Sequence, residues 1–110
     1  MTLPDFRCDV EPREGIVIIR PAGELDISTA ELFSAKTGEL LAKGFQTIVL
    51  DLRDLVFMDS SGLRAIVSLH AGTSPSQRLQ IIQGPDAVQR VFAITGLDRI
   101  LTFTSALDEL

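Results

Sequence analysis

Apolar positions along this chain fall into short runs of strand length that alternate with stretches of helical spacing, which predicts a mostly parallel sheet joined by crossover helices. Ile16-Val17-Ile18-Ile19 is a continuous β-branched run, as expected of a buried strand, and Pro21 and Gly23 punctuate its end. The stretch from Phe6 to Val10 is predicted to pair with it across a turn at Glu11 to Gly15. Ser28-Thr29-Ala30-Glu31 reads as a capping box, opening a helix that carries Leu32, Phe33, Leu40 and Leu41 and stops at Gly44. Phe45 to Leu52 is a second central strand. Beyond Ser60, the positions of Leu63, Ile66, Val67 and His70 follow the spacing i, i+3, i+4, i+7, which gives a helix with one apolar face. Gly72 to Gln77 is a turn, and Arg78 to Gln83 a third parallel strand. Val88, Val91, Phe92 and Thr95 repeat the helical spacing up to Gly96. Ile100 to Phe103 closes the sheet, and Thr104 or Ser105 caps a short last helix.

Composition turns this pattern into one compact unit. A chain of 110 residues with 45% hydrophobic content suits a single domain, 1–110, around one core. At this size about two-thirds of the unfolded surface is buried on folding, enough for stability without disulfides or metal. Cys8 is the one cysteine, so it reads as a small hydrophobe in a reducing compartment. No secretory pattern opens the chain and no apolar run reaches the length of a membrane span, which places the expected location in the cytoplasm, away from membranes. The net charge is −5, the basic residues are scattered, and Trp and Tyr are absent. Nucleic acid is therefore not an expected partner.

In sheets of this kind functional groups gather beyond the carboxyl ends of the strands. The strand ending near Gly23 delivers Glu24 and Asp26, while the one ending near Leu52 delivers Asp54 and then, through Leu55 to Met58, Asp59 and Ser60. If the two strands are neighbours, these groups share one end of the molecule. Asp59-Ser60 also suits a plain helix N-cap, and Asp26 a solvated loop carboxylate. An enzyme reading lacks its parts. His70, the single histidine, lies ten residues beyond Ser60 on one helix, about 15 Å away. Met58 occupies the place of the first glycine of a nucleophile elbow around Ser60. No metal-ligand spacing or glycine-rich phosphate loop is present, so neither metal nor cofactor is expected. What remains is a hydroxyl at a strand-to-helix junction. Phosphate on it would add roughly −1.5 to −2 charges and three strong acceptors, the makings of a regulatory switch.

Three segments together carry a resemblance: Gly23-Glu24-Leu25-Asp26, then Asp54-Leu55-Val56-Phe57-Met58-Asp59-Ser60-Ser61-Gly62-Leu63, then Thr95-Gly96-Leu97. In this order and spacing they resemble the STAS domain of bacterial anti-sigma factor antagonists, over nearly the whole chain. The resemblance implies an α/β fold: a mostly parallel sheet of four to five strands, an antiparallel N-terminal edge strand, and crossover helices mainly on one face. It implies a binding protein rather than an enzyme, a monomer or weak dimer, with an anti-sigma factor serine kinase and a serine phosphatase as partners. The kinase would phosphorylate Ser60 using ATP, with Ser61 as the competing acceptor. The unphosphorylated form would bind the kinase and free the sigma factor. Carried over, the partner-binding set is Glu24, Asp26, Asp59, Ser60, Ser61, Gly62 and Arg64. Arg64 stands where many relatives have a small residue, and either touches the phosphate or contacts the partner. The helix macrodipole favours phosphate at this position, so the fold should survive it. Two alternatives are a STAS scaffold or subunit of a larger stress-signalling or lipid-transport assembly, and a small-ligand or nucleotide-binding regulatory domain.

Overall fold

The β-branched run Ile16 to Ile19 becomes the first half of the strand around which the molecule is organised. A computed structural model describes residues 6–105. Its elements are β1 (Arg7–Arg13), β2 (Ile16–Leu25), α1 (Ala30–Ala42), β3 (Thr47–Asp51), β4 (Leu55–Met58), α2 (Ser60–Gly72), β5 (Arg78–Ile82), α3 (Asp86–Thr95), a 3₁₀ turn at Leu97–Arg99, and β6 (Phe103–Thr104). The sheet order is β1-β2-β3-β5-β6, with β4 pairing to β2 off this path. β1 is antiparallel to β2, and every other pairing is parallel. The count reaches six strands through the four-residue β4 and the two-residue β6.

β2 is longer than its punctuation suggested. It pairs with β3 through Ile16 to Ile19 and with β4 through Gly23 to Leu25, the register shifting between Gly23 and Glu24. Pro21 falls between the two parallel registers, where its missing N–H interrupts neither, so the strand runs past it. Gly23 takes the shift at φ +96°, a backbone region that other residues rarely adopt. β1 likewise extends to Arg13, and the hairpin closes at Glu14-Gly15 rather than over Glu11 to Gly15. The Gly15 carbonyl then accepts the N–H groups of Gln46 and Thr47, at 3.0 and 3.1 Å, tying the hairpin to the start of β3.

All three helices pack on one face of the sheet. Val17, Ile19, Ile48, Leu50 and Ile81 meet Phe33 and Leu40 of α1, Leu63, Ile66 and Leu69 of α2, and Val88 and Phe92 of α3 in one core. α1 buries Phe33, Thr37 and Leu40, whereas Leu32, expected inward, is 62% exposed. α2 turns Gly62, Leu63, Ala65, Ile66 and Leu69 inward, leaving Val67 half-buried and His70 exposed. Its apolar stripe is centred one residue off the expected one, because the helix packs against α1 beside it as well as on the sheet beneath. The last strand starts later than predicted. Ile100 is exposed after the 3₁₀ turn, Leu101 is buried, and Phe103 meets Phe92 edge-on with ring centroids 5.0 Å apart. The predicted last helix lies outside the described residues. Half-buried Cys8 packs against the core, and burial pushes its thiol up from its ordinary pKa.

The opposite face carries a smaller buried cluster, Ile18, Val49 and Ile82. Beside it runs a chain of ion pairs: Arg13 to Glu11 at 2.6 Å, Glu11 to Arg20 at 2.8 Å, Arg20 to Asp51 at 3.5 Å and Asp51 to Arg53 at 2.9 Å. The Asp51 side chain is only 4% exposed. Burial works to raise the pKa of this carboxyl. The bonds and charge of Arg53, with the charge of Arg20, outweigh it and hold the group below its usual value. No helix among the described residues is long and apolar enough to cross a membrane.

Candidate functional site

β4 brings the two acidic segments together. Leu25 stands in register with Met58, and the Leu25 carbonyl accepts the Asp59 N–H at 3.2 Å. Asp26 and Asp59 therefore leave adjacent parallel strands side by side, as the neighbouring-strand argument required. The stretch Leu55 to Met58, where the sequence predicts only a connection, is the strand that moves the chain from the end of β3 to the end of β2.

Asp59 is the N-cap of α2. Its Oδ1 accepts the N–H of Ser61 at 2.8 Å and of Gly62 at 3.1 Å, and its carbonyl accepts the N–H of Leu63 at 3.0 Å. Ser60 is the first residue of the helix; it is exposed, and its hydroxyl has no hydrogen-bond partner among the described residues. Ser61 is half-buried. Gly62 is buried: a Cβ there would lie 2.4 Å from the Leu25 carbonyl oxygen and 2.8 Å from Met58 Cγ. The bare Cα lets the first turn of α2 sit directly on the strand ends, so Gly62 shapes the site from beneath rather than facing a partner.

The expected capping box at Ser28 to Glu31 is replaced by a turn built on Asp26. Its carboxylate accepts the Ser28 N–H at 2.9 Å and the Ser28 hydroxyl at 2.6 Å, while its carbonyl accepts the N–H of Thr29 and Ala30. Thr29 holds the N-cap position of α1 at helical φ and ψ and makes no side-chain cap. Its hydroxyl instead accepts the Asp26 N–H at 2.9 Å and donates to the Glu24 carbonyl at 2.8 Å. Asp26, read from the sequence as a solvated loop carboxylate, is thus also the residue that forms this turn. The Ser28 hydroxyl bond is the main cause holding its pKa below the usual aspartate value. Glu24 is half-buried and enters this turn through its backbone.

Arg64 is exposed and forms no ion pair among the described residues. It borders a groove of about 390 Å³ between the first turns of α1 and α2, with Ile27, Glu31 and Ser61 on its walls. Three apolar side chains are exposed on the segments that lead into this end, Ile27 after β2 at 81%, and Val56 and Phe57 of β4 at 65% and 46%. The sequence reading missed them. Their signal was Val56-Phe57, two apolar residues between buried Leu55 and Met58, which a four-residue strand cannot all turn inward. His70 is on the last turn of α2, and no group of three or more His, Cys, Asp or Glu among the described residues is placed to hold a metal ion. The arrangement offers an exposed hydroxyl with no hydrogen-bonded partner among the described residues, at a strand end that also carries Asp26 and Asp59. Such an arrangement can serve as a docking surface.

Comparison with known proteins agrees with this geometry. The STAS domain model matches residues 7–110. The chain belongs to the STAS domain family. A Thermotoga neapolitana protein, provisionally named an anti-sigma factor antagonist and TM1081 homolog, is 37% identical over 102 residues, covering 87% of this chain and 90% of that protein. The anti-sigma-B factor antagonist of Staphylococcus aureus is 30% identical over 84 residues, covering 76% and 78% of the two chains. The crystal structure of an anti-sigma factor antagonist from Mycobacterium paratuberculosis superposes with a TM-score of 0.90 over 96% of this chain and 90% of that one; at 24% identity the likeness shows the fold. The STAS fold thus accounts for the mixed sheet, the antiparallel β1 and the helices on one face. Relatives with these names are regulatory binding proteins, and this STAS domain is a binding protein rather than an enzyme.

Proposed function

We propose that this STAS domain is an anti-sigma factor antagonist whose binding to an anti-sigma factor serine kinase is switched by phosphate on Ser60. The observation that carries the reading is the uncommitted, exposed Ser60 hydroxyl at the head of α2, where Asp59 alone does the capping. The kinase supplies the base, since no group among the described residues is hydrogen-bonded to the Ser60 hydroxyl. Ser60 Oγ attacks the γ-phosphorus of ATP, the bond to the bridging oxygen breaks, ADP leaves, and the hydroxyl proton passes to the kinase. The unphosphorylated surface at Ser60, with Ile27, Val56 and Phe57 exposed on the segments that lead into it, docks on the kinase and displaces the sigma factor. A phosphate there stands beside Asp26 and Asp59, must be desolvated on docking, and repels any partner carboxylate. Release follows without unfolding, and a serine phosphatase in the same cytoplasm resets the switch.

The test is to incubate the protein with ATP and each anti-sigma kinase of the same genome, then map phosphate by mass spectrometry. Label on Ser60, lost in Ser60→Ala with kinase binding retained, supports the reading. Undiminished labelling of that variant, or phosphate on Ser61, overturns the assignment of the acceptor.

A further inference from the structure

A phosphate on Ser60 would find the helix terminus already occupied. Of the first four N–H groups of α2, those of Ser61 and Gly62 are taken by the Asp59 carboxylate and that of Leu63 by the Asp59 carbonyl. A full negative charge, Asp59, already complements the helix dipole at this end. The amide cradle that usually steadies phosphate at a helix start is therefore mostly occupied. Asp26 and Glu31 add further negative charge from the α1 side. The phosphate needs a cation, and the candidate is one turn away.

Arg64 follows Ser60 by four residues on α2, which puts the two about 40° apart around the helix with Cβ atoms roughly 5–6 Å apart. It follows Ser61 by three, about 60° to the other side. Its guanidinium is exposed and has no carboxylate partner among the described residues. The two carboxylates at the strand ends are engaged in the fold, Asp59 on the helix amides and Asp26 on Ser28, while Glu31, on the wall of the same groove, forms no ion pair with Arg64. Arg53, by contrast, is paired with Asp51.

We infer that Arg64 is an internal clamp for the phosphate on Ser60, forming a charge-assisted fork across one turn of α2. This deepens the proposed function and rests on Ser60 as the acceptor. The clamp steadies the phosphorylated state within the domain itself and shields the phosphate from hydrolysis. It gives Arg64 a role toward the phosphate rather than only toward the partner.

The experiment installs phosphoserine at position 60 during synthesis, so that its outcome does not depend on whether any kinase labels Ser60. The ³¹P resonance is titrated in the otherwise wild-type protein and with Arg64→Ala or Arg64→Lys. In the alanine variant the second protonation of the phosphate moves up by about half a pH unit, and lysine restores part of the difference. Alkaline phosphatase releases phosphate from the alanine variant several-fold faster, while the unphosphorylated forms melt together. Coincident titrations and equal release rates in wild type and Arg64→Ala overturn the clamp. Failure of kinase labelling at Ser60, a separate result, would instead remove the function on which it rests.

Discussion

At the scale of single residues, Asp59 and Ser60 divide the two roles that the sequence left open between them. Asp59 takes the cap, with two amide bonds, and Ser60 is left without a structural duty. Asp59→Ala should then lower stability by about 1 kcal/mol, whereas Asp59→Asn keeps an acceptor oxygen and most of the stability. Ser60→Ala should change it by less than about 0.5 kcal/mol. Urea unfolding of the three variants separates these outcomes, and a large loss in Ser60→Ala would return the hydroxyl to the scaffold. Gly62→Ala should cost about 1–3 kcal/mol, because the added Cβ meets a backbone carbonyl at 2.4 Å that cannot swing aside. The motif itself was legible in the sequence. The duty of Asp26 was not, since an Asx turn and a capping box draw on the same residues, and only the backbone angles of Thr29 decide between them. Asp26→Asn retains an acceptor for Ser28 and should melt with the wild type, while Asp26→Ala should melt lower.

Among the elements, the strands with unbroken β-branched or strongly apolar runs were legible and the short ones were not. β4 is a continuous apolar run, Leu55-Val56-Phe57-Met58, but it has only four residues and buries two of them, Leu55 and Met58, so the run alone does not tell a strand from a connection. β2 was cut short at Pro21 because a lone sequence cannot show that the proline falls between two partner strands. The ion-pair chain across β1, β2 and the end of β3 was also invisible, since its members are dispersed from Glu11 to Arg53. It makes a testable claim about acid stability. The Asp51 pKa is lower in the folded protein than its ordinary 3.8, so its contribution is fully present above that value and fades as pH falls through the lower folded value. Asp51→Asn should therefore be less stable than wild type at neutral pH, and the two urea midpoints should converge as the pH drops below about 4. A constant gap down to pH 2 would show that Asp51 acts through packing and not through its charge.

For the molecule as a whole, confining the helices to one face leaves the strand ends open, and β4 gathers Asp26, Asp59 and Ser60 at one of them. The chain carries −5 before any modification, so each added negative charge at that end works against an anionic or desolvating partner surface. Ser60→Asp tests whether release is electrostatic. The carboxylate adds one charge where phosphate adds roughly two, so it should mimic phosphate only in part, and at an exposed position it leaves the Asp59 cap in place. Its melting temperature should match wild type while its affinity for the anti-sigma kinase falls. Because the site is exposed, added salt screens the repulsion, and the affinity gap between Ser60→Asp and wild type should narrow as ionic strength rises from about 0.05 to 0.5 M. Calorimetric titrations at several salt concentrations measure this directly. A gap that stays constant with salt, at unchanged melting temperature, would mean that phosphate acts by its bulk at the interface. A lowered melting temperature would mean that it acts by loosening α2 from the strand ends beneath it.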